Sequence, residues 1–239
     1  MENHLQFNLT DTIEMKMHED FSQDFLSVAE LNVQIKHNPL KRIFDIIFSL
    51  LALALCIPLF MVVGLVIKLS SKGPVFFSHE RIGRGGKRFK CYKFRTMYPD
   101  AEARLSQMLA CCSKTQEEWS HSRKLKQDPR ITPIGSFLRK TSLDEFPQFW
   151  NVLKGDLSVV GPRPVVEAEI TQHYGIKAQD ILRLRPGITG LWQVSGRSDV
   201  SYDNRIMLDQ KYIENQSILL DLKLIAKTIP AIFNSKGAY

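Results

Sequence analysis

The sequence predicts an α+β protein, largely helical, with a small β-hairpin and one N-terminal membrane helix interrupted at Pro58. Three observations carry this reading. Residues 43–69 form an almost unbroken apolar run. Gly85-Gly86 separates two short extended stretches. From residue 101 onward, short segments with apolar residues at helical spacing are punctuated by proline and glycine. The boundaries follow: an acidic leader over 1–38, a membrane segment over 39–72 and one domain over 73–239.

The leader carries a charge opposite to the rest. Residues 1–37 hold seven acids against Lys16 and Lys36, so a chain of net charge +7 has a body of +12. A body this basic is suited to anionic partners: phosphates, acidic lipid or nucleic acid. The leader reads either as a mobile tail or as a helix that packs on the body or a partner. It is acidic and mixed rather than basic then apolar, so no cleavable signal peptide is expected. Hydrophobic residues make up 44% of the 239 residues, which excludes disorder as the default. Cys56, Cys91, Cys111 and Cys112 form no spaced metal pattern, and they read as reduced thiols in a cytosol-facing protein.

The apolar run from Ile43 to Leu69 exceeds the roughly 20 residues that a membrane crossing needs. Pro58 lacks an N–H and crowds the carbonyl of Ala54, which kinks or breaks a helix. Each half alone is too short for a hydrocarbon core of about 30 Å at about 1.5 Å per residue. Two readings stay open: a kinked helix that crosses once, or a chain that enters, turns at Pro58 and leaves on the same side. Lys36, Lys41 and Arg42 flank one end, and Lys68 and Lys72 the other. By the positive-inside rule both ends, and the basic body, face the cytoplasm.

Gly73-Pro74 opens a strand over Val75 to Ser78, and Arg88 to Met97 returns as its hairpin partner. Tyr98-Pro99-Asp100 then ends the hairpin. Ala101 to Cys112 reads as a helix, and the polar stretch to Gln127 as a loop or surface insert. Thr132-Pro133 is a helix start, followed by Ile134 to Lys140. Towards the C-terminus, Arg183, Arg185 and Arg197 add cations around glycine turns. Ser217 caps a last helix whose Leu219, Leu220, Leu222, Leu224, Ile225 and Ile229 form a broad apolar side. That side either packs in the core or lies along a membrane surface.

Ser142-Leu-Asp144-Glu145 precedes Phe146, Phe149, Trp150, Val152 and Leu153 at helical spacing, and Gly155 can stop that helix. Glu145 fits a capping box with Ser142 as N-cap. Pro147 fits better if Asp144 is the N-cap, because proline is tolerated only in the first turn. Either way two carboxylates are expected at a helix start beside Arg139 and Lys140. Unpaired N–H groups and cations there favour anions. A carboxylate can attack phosphorus and carry a phosphoryl group. A second one can hold Mg²⁺, which needs few protein carboxylates when substrate phosphates complete its shell. Gly161-Pro162-Arg163-Pro164 adds a rigid turn with one guanidinium for phosphate.

From Lys41 to Phe233 the sequence resembles the bacterial sugar transferases, the monotopic polyprenyl-phosphate phosphoglycosyl transferases. The likeness is carried by Lys41-Arg42-Ile-Phe-Asp45, Lys93-Phe-Arg95-Thr-Met97, Ser142-Leu-Asp144-Glu145-Phe-Pro147, Asn151-Val-Leu-Lys-Gly155-Asp156, Gly161-Pro-Arg163-Pro164, Arg185-Pro-Gly-Ile-Thr-Gly190 and Gly196-Arg197. The Trp192 to Arg197 and Asp199 to Tyr202 stretches make it most similar to enzymes that load galactose 1-phosphate for succinoglycan-type exopolysaccharides. The resemblance implies a cytoplasmic catalytic domain on the bacterial inner membrane and a re-entrant helix broken at Pro58. The family's Ser-Pro pair there is Ile57-Pro58, without the serine hydroxyl. It implies Asp144 as nucleophile on a UDP-sugar, releasing UMP, and Glu145 with Asp144 as the Mg²⁺ carboxylates. Lys93, Arg139 and Arg163 would hold phosphates, with Arg197 and Asp209 in or near the site. The acceptor would be undecaprenyl phosphate, the sugar galactose or, second, glucose. Membrane lipid and other polysaccharide-assembly glycosyltransferases are the partners it allows.

Three rivals are weighed against this. A membrane-tethered nucleic-acid binder would explain the basic body, yet the cations cluster beside carboxylates and glycine turns, with no helix-turn-helix or RNA-binding motif, so no nucleic-acid partner is expected. A membrane-anchored phosphohydrolase explains the carboxylates but not a membrane segment close to them. A non-catalytic assembly protein of the same fold is at odds with the complete motif set.

Overall fold

The computed structural model describes residue 28 and residues 31–122, 125, 127–196 and 200–233. Most of the leader, and Arg197, therefore lie outside the described residues. Where the leader is described, Val28, Leu31 and Val33 pack on the core, and the Lys36 amide donates to the Arg183 carbonyl at 3.1 Å.

Helix α1 (Pro39–Ser70) starts where Asn38 caps it, its side chain accepting from the Lys41 amide at 3.0 Å. It is long and apolar enough to cross a membrane. The break expected at Pro58 is not seen, because the helix runs on through it. A proline removes one hydrogen bond, while flanking residues such as Leu55, Leu59 and Met61 are good helix formers that maintain the turns on either side. Leu51, Leu55, Ile57, Met61 and Leu69 are exposed, whereas Lys41, Asp45, Ser49, Val63 and Ile67 are buried. The buried residues cluster at the two ends, so both ends of α1 sit on protein while its middle does not.

Each end has its own fastening. At the start, Lys41 Nζ lies 2.7 Å from Asp45 Oδ1 and 2.9 Å from Asp221 Oδ2. The Val159 amide donates to Asp45 at 3.1 Å, and the Tyr212 hydroxyl donates to Asp221 at 2.8 Å. Arg42 donates to the carbonyls of Val152 and Leu153, at the end of another helix. At the far end, the buried Arg95 guanidinium donates to the carbonyls of Ser71 (2.8 Å) and Lys72 (3.0 Å). These carbonyls have no partner within α1, which is why a cation settles there.

The hairpin forms, with shifted limits: β1 (Phe76–Ile82) pairs antiparallel with β2 (Arg88–Phe94). The second strand stops before Met97, which instead bridges Ile131. Helix α2 (Ala101–Cys111) follows as expected. The stretch read as a loop contains a helix, α3 (Ser113–Ser122). Its sequence is polar, so apolar periodicity could not reveal it. Next come α4 (Pro133–Lys140), a 3₁₀ turn (Leu143–Glu145) and α5 (Gln148–Lys154), which Gly155 ends in the left-handed region (φ 92°).

A second sheet was not foreseen: β3 (Ser158–Val160) pairs parallel with β4 (Gly187–Thr189). Gly161 and Gly187 permit it, since a Cβ on Gly187 would stand 2.1 Å from the Gly161 nitrogen. Around this pair lies the main core, with Val152, Leu157, Val160, Val165, Ile206 and Tyr212 fully buried. Helices α6 (Tyr202–Glu214) and α7 (Ile218–Phe233) close it. Ser217 caps α7 as expected, accepting from the Leu220 amide. The apolar side of α7 divides: Leu220, Leu224 and Ile225 pack in the core, and Leu219, Leu222 and Ile229 are exposed. All four cysteines are unbridged.

Removing Lys41 leaves Asp45 and Asp221 facing each other without a cation. Lys41→Met should therefore cost about 3–5 kcal/mol of stability, the usual loss when one partner of a buried ion pair is deleted. Urea unfolding in detergent micelles measures it.

Candidate active site

The carboxylate pair sits differently from the expectation. Ser142 takes a left-handed conformation (φ 55°), as no other non-glycine among the described residues does. There it stops α4, its amide donating to the Arg139 carbonyl. It makes no side-chain cap. Asp144 and Glu145 then lie in the 3₁₀ turn, and α5 begins only at Gln148, after Pro147. Neither Ser142 nor Asp144 is the N-cap of α5, so the capping box is absent and the pair is not at an α-helix start. Pro147 explains this, because it prevents the turn from propagating as an α-helix from residue 142.

The turn is fixed from two sides. Leu143 packs against the cluster of Val63, Ile67, Phe94 and Leu138, which places the carboxylates one residue from a side chain packed on the apolar helix α1. On the other side, buried Asn151 of α5 bonds β2 directly, giving its Nδ2 to the Lys90 carbonyl (2.7 Å) and taking the Tyr92 amide (3.0 Å). This brings Lys93 of β2 over the turn. Lys93 Nζ lies 2.5 Å from Glu145 Oε1 and 3.9 Å from Asp144 Oδ2. Arg139 is steadied by the Thr96 hydroxyl, which accepts from its Nε at 3.0 Å.

The two neighbouring carboxylates are driven apart in acidity. Asp144 is 7% exposed, and burial raises its pKa to about 6. Lys93 and Arg139 oppose that rise, and the Glu145 charge adds to it. Glu145 also resists charge through burial, but Lys93, Arg163 and Arg81 together hold its carboxyl below the usual range. Adjacent carboxylates with opposed shifts fit separate roles: a more basic one that reacts and an always-ionised one that binds a cation.

Arg163 joins through its own network. Its Nη1 lies 2.8 Å from Glu169 Oε1, and the Tyr202 hydroxyl donates to the same oxygen at 3.0 Å. The Arg163 amide donates to Asp209 Oδ2 at 3.4 Å, while Asp209 Oδ1 has no partner among the described residues. Burial raises the Asp209 carboxyl to about 7. Of the expected site residues, the structure thus gathers Lys93, Arg139, Asp144 and Glu145, with Arg163 near enough to act on Glu145 and Asp209 behind it.

The sequence reading missed Arg81, Glu169 and Thr96. Arg81 had a signal: strand alternation puts His79 and Arg81 on one face of β1, and the register sets the neighbouring Phe77 opposite Lys93. Glu169 had none, being brought in by the irregular helical run 167–181. Among the described residues no group of three or more His, Cys, Asp or Glu forms a metal cluster.

The sequence profile of the bacterial sugar transferases matches residues 36–235. The exopolysaccharide production protein ExoY of Sinorhizobium fredii is 49% identical over 83% of this chain and 88% of its own length. The undecaprenyl-phosphate galactose phosphotransferase of Salmonella typhimurium is 45% identical over 84% of the chain. The UDP-glucose:undecaprenyl-phosphate glucose-1-phosphate transferase of Klebsiella pneumoniae is 40% identical over 83%. The chain spans only 42% and 41% of those two proteins.

In aspartate-labelled protein, Asp144 should titrate near pH 6 rather than about 4 by carbon NMR. Lys93→Met should move that midpoint higher, because the lost cation favoured the ionised form. The folded state holds this proton more tightly than the unfolded chain, so Asp144 contributes a loss of stability as pH rises from about 4 through 6.

Proposed function

The chain belongs to the bacterial sugar transferase family, and we propose that it moves a sugar 1-phosphate from a UDP-sugar onto undecaprenyl phosphate, releasing UMP, at the first membrane step of exopolysaccharide synthesis. The observation that carries this reading is a buried, basic carboxylate, Asp144, held beside Lys93 and Arg139 one residue from a side chain packed on α1. A reaction between a water-soluble donor and a lipid phosphate needs its reacting group at such a border.

The chemistry divides into two displacements. Asp144 attacks the sugar-bearing phosphorus of the donor, a P–O bond to the carboxylate forms, and the bridging P–O bond breaks with its electron pair leaving on UMP. An oxygen of the lipid phosphate then attacks the same phosphorus and Asp144 leaves as the free carboxylate. Lys93, Arg139 and Arg163 neutralise phosphate oxygens in both steps. With its pKa near 6, Asp144 is largely ionised at neutral pH yet more basic, and so more nucleophilic, than an ordinary carboxylate. Glu145 and Asp144 would hold Mg²⁺: two hard oxygen donors on one turn, completed by substrate phosphates, suit that ion. The ion would neutralise phosphate charge as a Lewis acid. Relatives named for galactose and for glucose support galactose first and glucose second as the sugar.

For topology we propose the re-entrant arrangement on the bacterial inner membrane, with the catalytic domain in the cytoplasm. This arrangement needs α1 to bend at Pro58 while staying helical, because 32 residues laid straight would be about 48 Å long, enough to cross about 30 Å of hydrocarbon. Lys41 and Asp45 at one end and Val63 and Ile67 at the other bury against the same domain. A helix that crossed would carry its two ends to opposite faces and lose one of these contacts. Trp150 of α5, Phe137 of α4 and Phe76 and Phe77 of β1 are exposed on elements packed near α1; the amphipathic Trp150 ring suits the lipid boundary, and the apolar phenylalanine rings suit the acyl chains beneath it.

Asp144→Asn should abolish UMP release from every UDP-sugar, with or without lipid acceptor; ordinary turnover by this variant would refute the mechanism. A panel of UDP-sugars with undecaprenyl phosphate identifies the sugar. On a cysteine-free background, Lys36→Cys and Lys72→Cys should both resist an impermeant maleimide added to spheroplasts. Labelling of either one from outside would exclude a re-entrant helix.

A further inference from the structure

A cleft of about 430 Å³ opens between Tyr98, α2, the loop 127–131 and the start of α4. That volume is in the range of small-molecule sites. No lining residue belongs to α1 or to the apolar cluster against it, so the cleft is poorly made for a lipid chain. It holds a stacking platform: the Arg104 guanidinium lies 4.0 Å over the Tyr98 ring and is anchored by Asp100, which accepts from its Nε at 2.9 Å. Planar bases stack well on guanidinium groups and aromatic rings. Among the described residues, the Gln127 amide and the Ser136 hydroxyl have no hydrogen-bond partner and are free to read a ligand's polar edge.

The cleft joins the carboxylate site through Arg139. Ser136 lines the cleft, and Arg139 lies one helical turn further along α4. Arg139 senses the charges of both Asp144 and Asp128, the latter another lining residue. Asp128 is already matched by Arg130, which grips both its oxygens at 2.8 and 2.7 Å. It is thereby neutralised and offers little repulsion to an anion passing Arg139. The same Thr96 that accepts from Arg139 binds Thr132 at the cleft wall, its carbonyl taking the Thr132 amide at 3.0 Å.

We propose that this cleft binds the nucleoside half of the nucleotide-sugar donor, with the base against the Tyr98–Arg104 pair and the diphosphate running past Arg139 to Asp144. The inference rests on the transferase reading above and adds where the donor's leaving group is held. A base and a sugar-bearing phosphorus are separated by a ribose and one phosphate, and Arg139 stands between cleft and nucleophile to meet that phosphate. Tyr98 and Arg104 are binding groups in this account, not catalytic residues.

Equilibrium dialysis of the full chain in detergent micelles tests it, with UMP, pyrophosphate and galactose 1-phosphate as separate probes. Tyr98→Ala and Arg104→Ala should each weaken UMP binding about tenfold, as expected for one lost stacking contact, and leave pyrophosphate unchanged. Ser136→Trp fills the cleft from the α4 side without touching the platform, and should block UMP even if Tyr98→Ala fails to fold. The proposal is overturned if UMP binds all three variants as it binds the parent. It is also overturned if the parent does not bind UMP, if pyrophosphate weakens in step with UMP, or if galactose 1-phosphate is the probe that weakens. A parent chain that binds UMP in this cleft but releases none from any UDP-sugar with undecaprenyl phosphate would refute the transferase reading alone.

Discussion

Lys41 lies between two buried carboxylates, Asp45 on its own helix and Asp221 on α7, at 2.7 and 2.9 Å. Burying three charges is costly unless each is paired and hydrogen-bonded, and here the Val159 amide and the Tyr212 hydroxyl complete the set. Burial still pushes the Asp221 carboxyl up, with Lys41 and Tyr212 pulling it back. The value of such a network is positional. It fixes where α1 leaves the domain, and Arg95 fixes where α1 returns. Between those points the helix can present an apolar surface without tilting away from the domain it serves.

The site inherits this constraint. Val63 and Ile67, held in place by the Arg95 end, receive Leu143, and Leu143 sets the turn that carries Asp144. The left-handed Ser142 makes that turn possible by ending α4 abruptly. Burial against the helix then raises Asp144, while the half-exposed Lys93 sits closer to Glu145 than to Asp144 and holds Glu145 ionised. The different acidity of two adjacent carboxylates is thus a consequence of how the turn is packed against α1 and β2, as much as of the charges around it.

Arg163, Glu169, Tyr202 and Asp209 form a second layer of charge behind the pair. Arg163 also faces the Trp192 ring, 5.5 Å from its centroid. Held by an acid on one side and an aromatic face on the other, its guanidinium has little freedom to reorganise. A phosphate binding there meets a cation already oriented, which is the condition for strong electrostatic stabilisation in a partly dry site.

Much of this was legible in the chain. The apolar run of α1, the Thr132-Pro133 start of α4, the Gly155 stop and the Ser217 cap are local signals, and local signals survive into the fold because they act within one helical turn. Arg139, Asp144 and Glu145 were legible as carboxylates beside a cation and Arg163 as a guanidinium in a proline turn, each with an ordinary structural use as well, while Lys93 was pointed to by the family resemblance; the fold brings Lys93 and Arg139 to the carboxylate pair. Tertiary packing decided the rest. It fastened the start of α1 to residues more than a hundred positions away and its far end to Arg95 at the end of the hairpin, pairings that no local pattern around Pro58 announces. It turned the expected helix cap at Ser142 into a 3₁₀ turn, built a parallel strand pair on the close approach of Gly161 to Gly187, and brought Arg81 and Glu169 to the site. Sequence spacing encodes the nearest neighbours along one element; which elements meet depends on burial and charge pairing between distant segments, and only the folded chain brings those together.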